Sequence, residues 1–192
     1  MSILFALVLA AFVGVPGRQP IVSFTNRTER HWRCDHGYMY PPMPASITMV
    51  ADVKIESLPT ERCGTIFGRR GWHNRLILLP DGQLDWGCFA WDGKRSANVR
   101  SKTRLEAGKR YRLAGVLDCS HGNETRLRLY VNGVEDGESR AFEGAPWNYP
   151  WAVEVGQIGK GRDGVLIDPS DCLFTNFWYY YKPLTGKEIK AL

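Results

Sequence analysis

Apolar and polar residues alternate along much of this chain, which is the pattern of β-strands with one buried face. The alternation is clearest in residues 46–55, SITMVADVKI, where apolar side chains from Ile47 to Ile55 occupy every second position. Residues 63–70, 74–91, 108–118, 152–159 and 172–184 contain further strand-like runs. Gly, Asp and Pro separate these runs and favour turns. The chain is therefore predicted to be all-β, a sandwich of antiparallel sheets.

Residues 127–137, LRLYVNGVEDG, predict an exposed hairpin. Apolar residues alternate from Leu127 to Val131, and Asn132-Gly133 follows them directly. Both central residues of a type I′ turn need positive φ, which Asn and Gly adopt most readily. Val134 then begins the return strand.

A single short helical turn is predicted at the end of the sequence. Thr185 and Glu188 have the Thr-x-x-Glu spacing of a capping box, and the apolar residues Ile189 and Leu192 follow. The segment has room for little more than one turn. The fold prediction is thus a two-sheet sandwich with one small helix.

Length and composition fit one domain with a well-filled core, since the 192 residues are 44% hydrophobic. An uncharged apolar run extends from Ile3 to Val15, shorter than the about 20 residues of a membrane span. We therefore predict a secretory signal over residues 1–17, a single domain over 18–192 and no membrane span in the mature chain. The alternative is an uncleaved anchor or a buried first strand.

The cysteines fit a secreted or cell-surface protein. They are scattered without a C-x-x-C pair, so a zinc ribbon or a thioredoxin-like motif is not supported. Secretion predicts that at least two of them are bridged, and the sequence leaves the pairing open. The disulfide candidates are Cys34, Cys63, Cys88, Cys119 and Cys172.

The order of these segments resembles a laminin-G-like domain of the concanavalin A-like lectin/glucanase jelly-roll superfamily. The resemblance is carried by SITMVADVKI, CGTIFGRR, DGQLDWGCF, RYRLAGVLD, LRLYVNGVEDG, VEVGQIG and FWYYYKPLTGKEI, over about residues 46–192, with a further strand around residues 21–24. It implies a jelly roll whose concave face or loop rim binds the ligand.

The resemblance also implies a calcium ion, because members of this superfamily often hold one on rim loops. The ligands there are Asp side chains and carbonyl oxygens, chosen by geometry that no short motif captures. The loop carboxylates that could serve are Asp92, Asp118, Asp163, Asp168 and Asp171.

The catalytic motifs of the enzymes in the superfamily that this chain resembles are not found in the sequence. Laminarinase-like glycosidases carry Glu-x-Asp-x-x-Glu on one strand, so that two carboxylates flank one glycosidic bond. Here Glu154 is the only acidic residue in its predicted strand. Alginate-lyase-like relatives carry Gln-Ile-His, whereas Gln157-Ile158-Gly159 lacks the base for proton abstraction. A non-catalytic protein is favoured, with a glycoside hydrolase or polysaccharide lyase of atypical site as the alternative.

Aromatic and basic residues in loops are the candidates for ligand binding. Trp86 is in register with Leu84 and Cys88 and is predicted to face the core. A loop aromatic ring stacks on the apolar face of a sugar, and a neighbouring Arg can hydrogen-bond hydroxyls or carboxylates. The candidate ligand-binding residues are Arg69, Arg70, Trp72, His73, Trp91, Arg95, Trp147 and Tyr149.

The net charge of +5 is concentrated in residues 94–112, which we call the basic stripe and in which Glu106 is the only acid. A basic stripe attracts polyanions such as acidic polysaccharide, and a merely solvated face is the plainer alternative. The stripe borders the same strand–turn–strand unit as the residues around Trp72.

We predict a secreted, non-catalytic binding module whose partner is a glycan, with an acidic glycan as the specific hypothesis, or an extracellular glycoprotein. Nucleic acid is not favoured, and a structural domain of a cell-surface assembly is the third hypothesis.

Overall fold

The computed structural model of the protein describes residues 20, 22–34, 46–69, 74–89, 96–146, 152–157 and 168–192. These residues form strands and one short helix. The elements are β1 (Val22–Phe24), β2 (Trp32–Cys34), β3 (Ile47–Ile55), β4 (Gly64–Arg69), β5 (Asn74–Leu78), β6 (Leu84–Phe89), β7 (Ser96–Arg100), β8 (Arg110–His121), β9 (Glu124–Val131), β10 (Val134–Glu135), β11 (Arg140–Glu143), β12 (Val153–Val155), β13 (Cys172–Tyr180) and α1 (Gly186–Lys190).

The strands form two antiparallel sheets, as the alternating pattern predicted. The seven-stranded sheet has the order β1-β13-β3-β8-β9-β10, with β11 also pairing with β9. The six-stranded sheet has the order β2-β12-β4-β5-β6-β7. The apolar residues of β3 from Ile47 to Ile55 are buried between the sheets, so the predicted inward face is confirmed.

Trp86 lies in the middle of this core and joins the two sheets. Its indole Nε1 donates a hydrogen bond of 3.1 Å to the carbonyl oxygen of Val116 in β8. The ring lies so close to Gly115 that a Cβ there would be 2.5 to 2.7 Å from three of its atoms. Leu84 and Cys88 are buried on the same face, which confirms the predicted register of β6.

A second apolar cluster covers the outer face of the seven-stranded sheet beneath α1. Asn132 and Gly133 both have positive φ, 54° and 78°, as the predicted type I′ turn requires. The helix packs on this turn, because a Cβ on Gly133 would lie 2.7 Å from the Cβ of Lys190. The capping box of Thr185 and Glu188 is also confirmed.

The cap offers a direct test of how α1 is held. We expect Thr185→Ala to lower the free energy of unfolding by about 1 kcal/mol, since the N–H of Glu188 loses its acceptor. Lys187→Ala, at an exposed position of the same helix, should change it by less than about 0.5 kcal/mol. Urea unfolding of both variants checks this prediction, and equal losses would mean that the cap does not hold the helix.

The expectation that at least two cysteines are bridged is not met. All five lie in the described part of the chain, and no disulfide joins any of them there. Cys34 lies opposite Val153 and Cys172 opposite Ile55 in their ladders, so neither stands across from another cysteine. A disulfide needs Cα atoms about 4.4–6.8 Å apart, and the strand register does not supply such a pair.

No helix among the described residues is long and apolar enough to span a membrane. The proposed signal, residues 1–17, lies outside the described residues, and secretion stays a prediction.

Candidate ligand-binding surface

One line of residues crosses the outer face of the six-stranded sheet from edge to edge. Strand register places one residue from every strand in it, and each stands between core-facing neighbours on its own strand. We call this line the transverse row. In spatial order its members are Arg33, Glu154, Gly68, Arg75, Gly87 and Asn98.

Two glycines flank Arg75 in the row, of which Gly87 is partly exposed and Gly68 is buried. Gly68 and Gly87 are its direct cross-strand neighbours and carry no side chain. The three atoms nearest to a Cβ on Gly87 would belong to the side chain of Asn98, at 3.1 to 3.3 Å. Asn98 donates a hydrogen bond of 2.9 Å to the carboxylate of Asp85. The middle of the row, from Glu154 to Arg75, is buried, so the parts that a ligand could reach are its two ends, Arg33 on one side and Gly87 with Asn98 on the other.

Arg75 forms a buried ion pair. Its Nη1 lies 3.1 Å from Oδ2 of Asp168, and the two side chains are only 10% and 5% exposed. Burial lowers the pKa of Arg75, whereas Cys63, when ionised, and the hydrogen bond that Arg75 donates to Asp168 act in the opposite direction. Asp168 has a φ of 43°, so an unusual backbone conformation presents this carboxylate. The pair holds the segment before β13 against the sheet.

A second ion pair lies at the β2 edge of the row. Nη1 of Arg33 is 3.4 Å from Oε1 of Glu154, whose side chain is completely buried. The Arg33 side chain is 37% exposed and reaches solvent. A guanidinium that is fixed by a buried carboxylate and still open to solvent is suited to hydrogen-bonding hydroxyl or carboxylate groups of a ligand.

The segments that carry the sequence-predicted ligand residues all join the same end of this sheet. The end of β4 lies beside the start of β12, the start of β5 lies beside the end of β6, and the end of β6 lies beside the start of β7. Segments 70–73, 90–95 and 147–151 connect to these strand ends, one or two residues beyond the transverse row. The predicted residues that lie in these segments, outside the described residues, are Arg70, Trp72, His73, Trp91, Arg95, Trp147 and Tyr149.

Arg69 departs from its predicted exposed position. It is 3% exposed and points between the sheets, because it alternates with Gly68 of the outer row. Its charge reaches Tyr179 and Tyr181 and acts to lower their pKa values, against the larger raising effect of burial. The buried position follows from strand register, which the sequence motif did not reveal. Its role in ligand binding stays a prediction.

The basic stripe does not form one surface. Arg100 and Arg104 both pair with Asp81, at 3.4 and 3.1 Å, beside the six-stranded sheet. Arg112 pairs with Asp52 at 2.6 Å on the outer face of the seven-stranded sheet. The two groups therefore lie on opposite sides of the sandwich, and much of their charge is neutralised within the protein.

The described loop acids are engaged in ion pairs. No group of three or more His, Cys, Asp or Glu side chains within the described ranges could hold a metal ion. The loop acids Asp118, Asp168 and Asp171 each pair with an arginine instead. Asp92 and Asp163 lie outside the described residues, and calcium stays a prediction.

Sequence comparison places this fold in a family. The sequence profile of the concanavalin A-like lectin/glucanases superfamily, in its laminin-G form, matches residues 38–190. The chain belongs to this superfamily. Comparison with curated protein sequences gives no match.

Solved structures with a fold similar to this chain include modules of larger proteins. The CBM40 module of Ruminococcus gnavus IT-sialidase, bound to α2,3-sialyllactose, has a TM-score of 0.61 and 14% identity over 90% of this chain and 98% of its own. The NanB sialidase of Streptococcus pneumoniae has a TM-score of 0.64 and 14% identity, with 90% of this chain and 28% of its own covered. The Trypanosoma rangeli sialidase has a TM-score of 0.54 and 18% identity, with 76% of this chain and 22% of its own covered. This chain thus spans 22% to 28% of the length of these two sialidases.

Sequence reasoning missed Arg33 and Asn98 and considered Glu154 only as a catalytic acid. Each is a single polar residue between inward-facing neighbours in a strand. The alternation within each strand was the available signal, but only register shows that these residues share one line across the sheet.

Proposed function

We propose that this protein is a non-catalytic carbohydrate-binding module and that the transverse row is its ligand face. The observation that carries the proposal is the row itself, whose accessible ends offer planar polar groups on Arg33 and Asn98, with the partly exposed Gly87 beside Asn98. Neighbouring hydroxyls of a sugar suit such groups, because a planar fork bonds two oxygens at once. Gly87, which carries no side chain, allows a sugar ring to lie close to the backbone beside Asn98.

The similarity to the sialyllactose-bound CBM40 module supports the class of ligand. That module has the same fold over nearly its whole length and was solved with a glycan bound. Trp72, Trp91 and Trp147 follow in the chain segments that join the strand ends beside the row, and tryptophan side chains stack on sugar rings. Together these observations favour a glycan over other partners.

An acidic glycan is the specific ligand that we propose. Arg33 presents a solvent-accessible guanidinium, and Arg70 and Arg95 lie in the adjoining segments. Guanidinium groups pair bidentately with carboxylate and sulfate, so an acidic sugar would gain over a neutral one. The proposal includes secretion, which is supported by the apolar run from Ile3 to Val15 and gives the module access to extracellular glycans.

The proposal predicts that Arg33→Ala weakens binding of acidic glycans about tenfold or more, since a charge-assisted hydrogen bond contributes about 1.5–3 kcal/mol. Binding of neutral glycans should fall less. A glycan array followed by calorimetric titration of the best acidic and neutral ligands provides the measurement, with released products assayed in parallel. Higher salt should weaken the acidic ligand more, because exposed charges are screened within about 10 Å at 0.1 M.

Arg140→Ala is the matched control, because Arg140 is also a partly exposed arginine in an ion pair, with Glu138 at 3.1 Å. It lies on β11 of the other sheet and should leave affinity unchanged. Trp72→Ala tests the adjoining segment separately. Unchanged acidic-glycan binding in a folded Arg33→Ala protein would remove the transverse row from the proposal, and product release would favour the enzyme hypothesis.

A further inference from the structure

A cleft of about 390 Å³ lies on the outer face of the seven-stranded sheet, on the opposite side of the sandwich from the transverse row. Its polar lining is drawn from β3, β8, the β9–β10 turn, β13 and the end of α1. The residues are Asp52, Arg110, Arg112, Asn132, Thr175 and Lys190. The register of β13 shifts between Phe174 and Asn176, and such a bulge bends the strand and interrupts the sheet beside Thr175.

The floor of the cleft is a neutral, fully bonded pair. Asp52 accepts hydrogen bonds from Nε and Nη2 of Arg112, at 2.6 and 2.7 Å, and from Nδ2 of Asn176 at 2.7 Å. Nη1 of Arg112 lies 3.3 and 3.4 Å from the carbonyl oxygens of Ile189 and Lys190. The guanidinium therefore fixes the end of α1 against the sheet, and the only acid that lines the cleft is already neutralised.

Two cations in the cleft wall have no ion-pair partner among the described residues. Arg110 and Lys190 are exposed, and neither side chain forms an ion pair with another residue in the described ranges. Arg110 also stands directly opposite Lys54 in the β3–β8 ladder, and like charges in that position repel each other. Lys54 is partly compensated by Glu56 at 2.6 Å. A bound anion would relieve the remaining repulsion.

We propose that this cleft is a second ligand site that binds an oxyanion group carried by a ligand about the size of one sugar. The volume lies at the small end of the range for small-molecule sites, about 300–1,000 Å³. Arg110 and Lys190 supply the charge, and Asn132 and Thr175 supply polar contacts at the rim. Carboxylate, sulfate and phosphate share the required chemistry. The inference is independent of the transverse row, since the two surfaces lie on opposite faces.

The test is a titration of the ¹⁵N-labelled protein, followed through the backbone amides of Asn132, Thr175 and Lys190. The probes are glucuronate, glucose 6-sulfate, inorganic phosphate and neutral glucose, at constant ionic strength. Saturable shifts with the anions and none with glucose are expected. The order of affinities identifies which oxyanion fits best. If the ligand fills the whole cleft, an anionic sugar should bind with higher affinity than inorganic phosphate.

Charge-removing variants locate the site. Arg110→Ala and Lys190→Ala should each weaken anion binding about two- to fivefold, as expected for exposed charge pairs, and the double variant more. Lys187→Ala, on the same helix but outside the cleft lining, should leave affinity unchanged, as should Arg33→Ala on the other sheet. Absence of saturable shifts, equal shifts with glucose, or unchanged affinity in the double variant would each overturn the second site. Loss of glycan binding in Arg33→Ala with retained shifts here would separate the two proposals.

Discussion

Replacing Arg75 by Ala should lower the free energy of unfolding by about 3–5 kcal/mol, because it would leave a buried carboxylate without its counter-charge. Asp168 is only 5% exposed and lies 3.1 Å from the guanidinium. Among the described residues no other cation forms an ion pair with this carboxylate. Chemical unfolding in urea, at a pH where carboxylates are ionised, provides the measurement.

Two further variants show whether burial of the ion pair causes the large loss of stability. Arg140→Ala removes an arginine from an ion pair whose two side chains are largely exposed, and it should cost less than about 1 kcal/mol. Arg75→Met combined with Asp168→Asn removes both charges and should recover part of the loss. If Arg75→Ala costs no more than Arg140→Ala, the Arg75 ion pair is effectively solvated and does not anchor the segment before β13.

Gly115→Ala should destabilise the protein by about 1–3 kcal/mol, the usual result of adding volume to a filled core. The new methyl group would lie 2.5 to 2.7 Å from ring atoms of Trp86, which cannot move far because the ring is fully buried and hydrogen-bonded to Val116. Near-ultraviolet circular dichroism should change together with the urea midpoint, since the environment of this tryptophan must shift.

Gly87→Ala is the matched substitution for this experiment, because Gly87 also lies inside a strand. The atoms nearest to its Cβ would be those of the exposed Asn98 amide, at 3.1 to 3.3 Å, which needs to shift by only a few tenths of an ångström, so Gly87→Ala should cost less than Gly115→Ala. The same variant partly fills a gap in the transverse row and should weaken glycan binding. Equal destabilisation by both alanines would show that loss of glycine itself, rather than contact with Trp86, is responsible.

Elements with a strong local pattern could be predicted from the sequence. The alternation in β3 reflects one face packed in the core, and the inward position of Trp86 followed from the same rule. The Asn132-Gly133 turn and the Thr185 cap depend on neighbouring residues alone, so their chemistry is visible in a few letters.

The short strands and the transverse row had no such local signal. β2 has three residues and pairs with β12, more than a hundred residues away, so distant partners rather than local propensity hold it in place. β7 contains a single fully buried apolar residue, Val99. The row takes one residue from each of six strands, and the inward rotation of Arg69 follows from the same register. Only the assembled sheet brings these positions together.

The position of β3 between β8 and β13 has a consequence for biosynthesis. β8 can pair with one edge of β3 soon after β8 leaves the ribosome. The other edge must wait for β13, Cys172–Tyr180, which begins more than a hundred residues after the end of β3. At about 5–20 residues per second, that edge is open for on the order of ten seconds. An unpaired strand edge recruits other chains, so nascent or truncated chains that lack β13 are expected to need a chaperone.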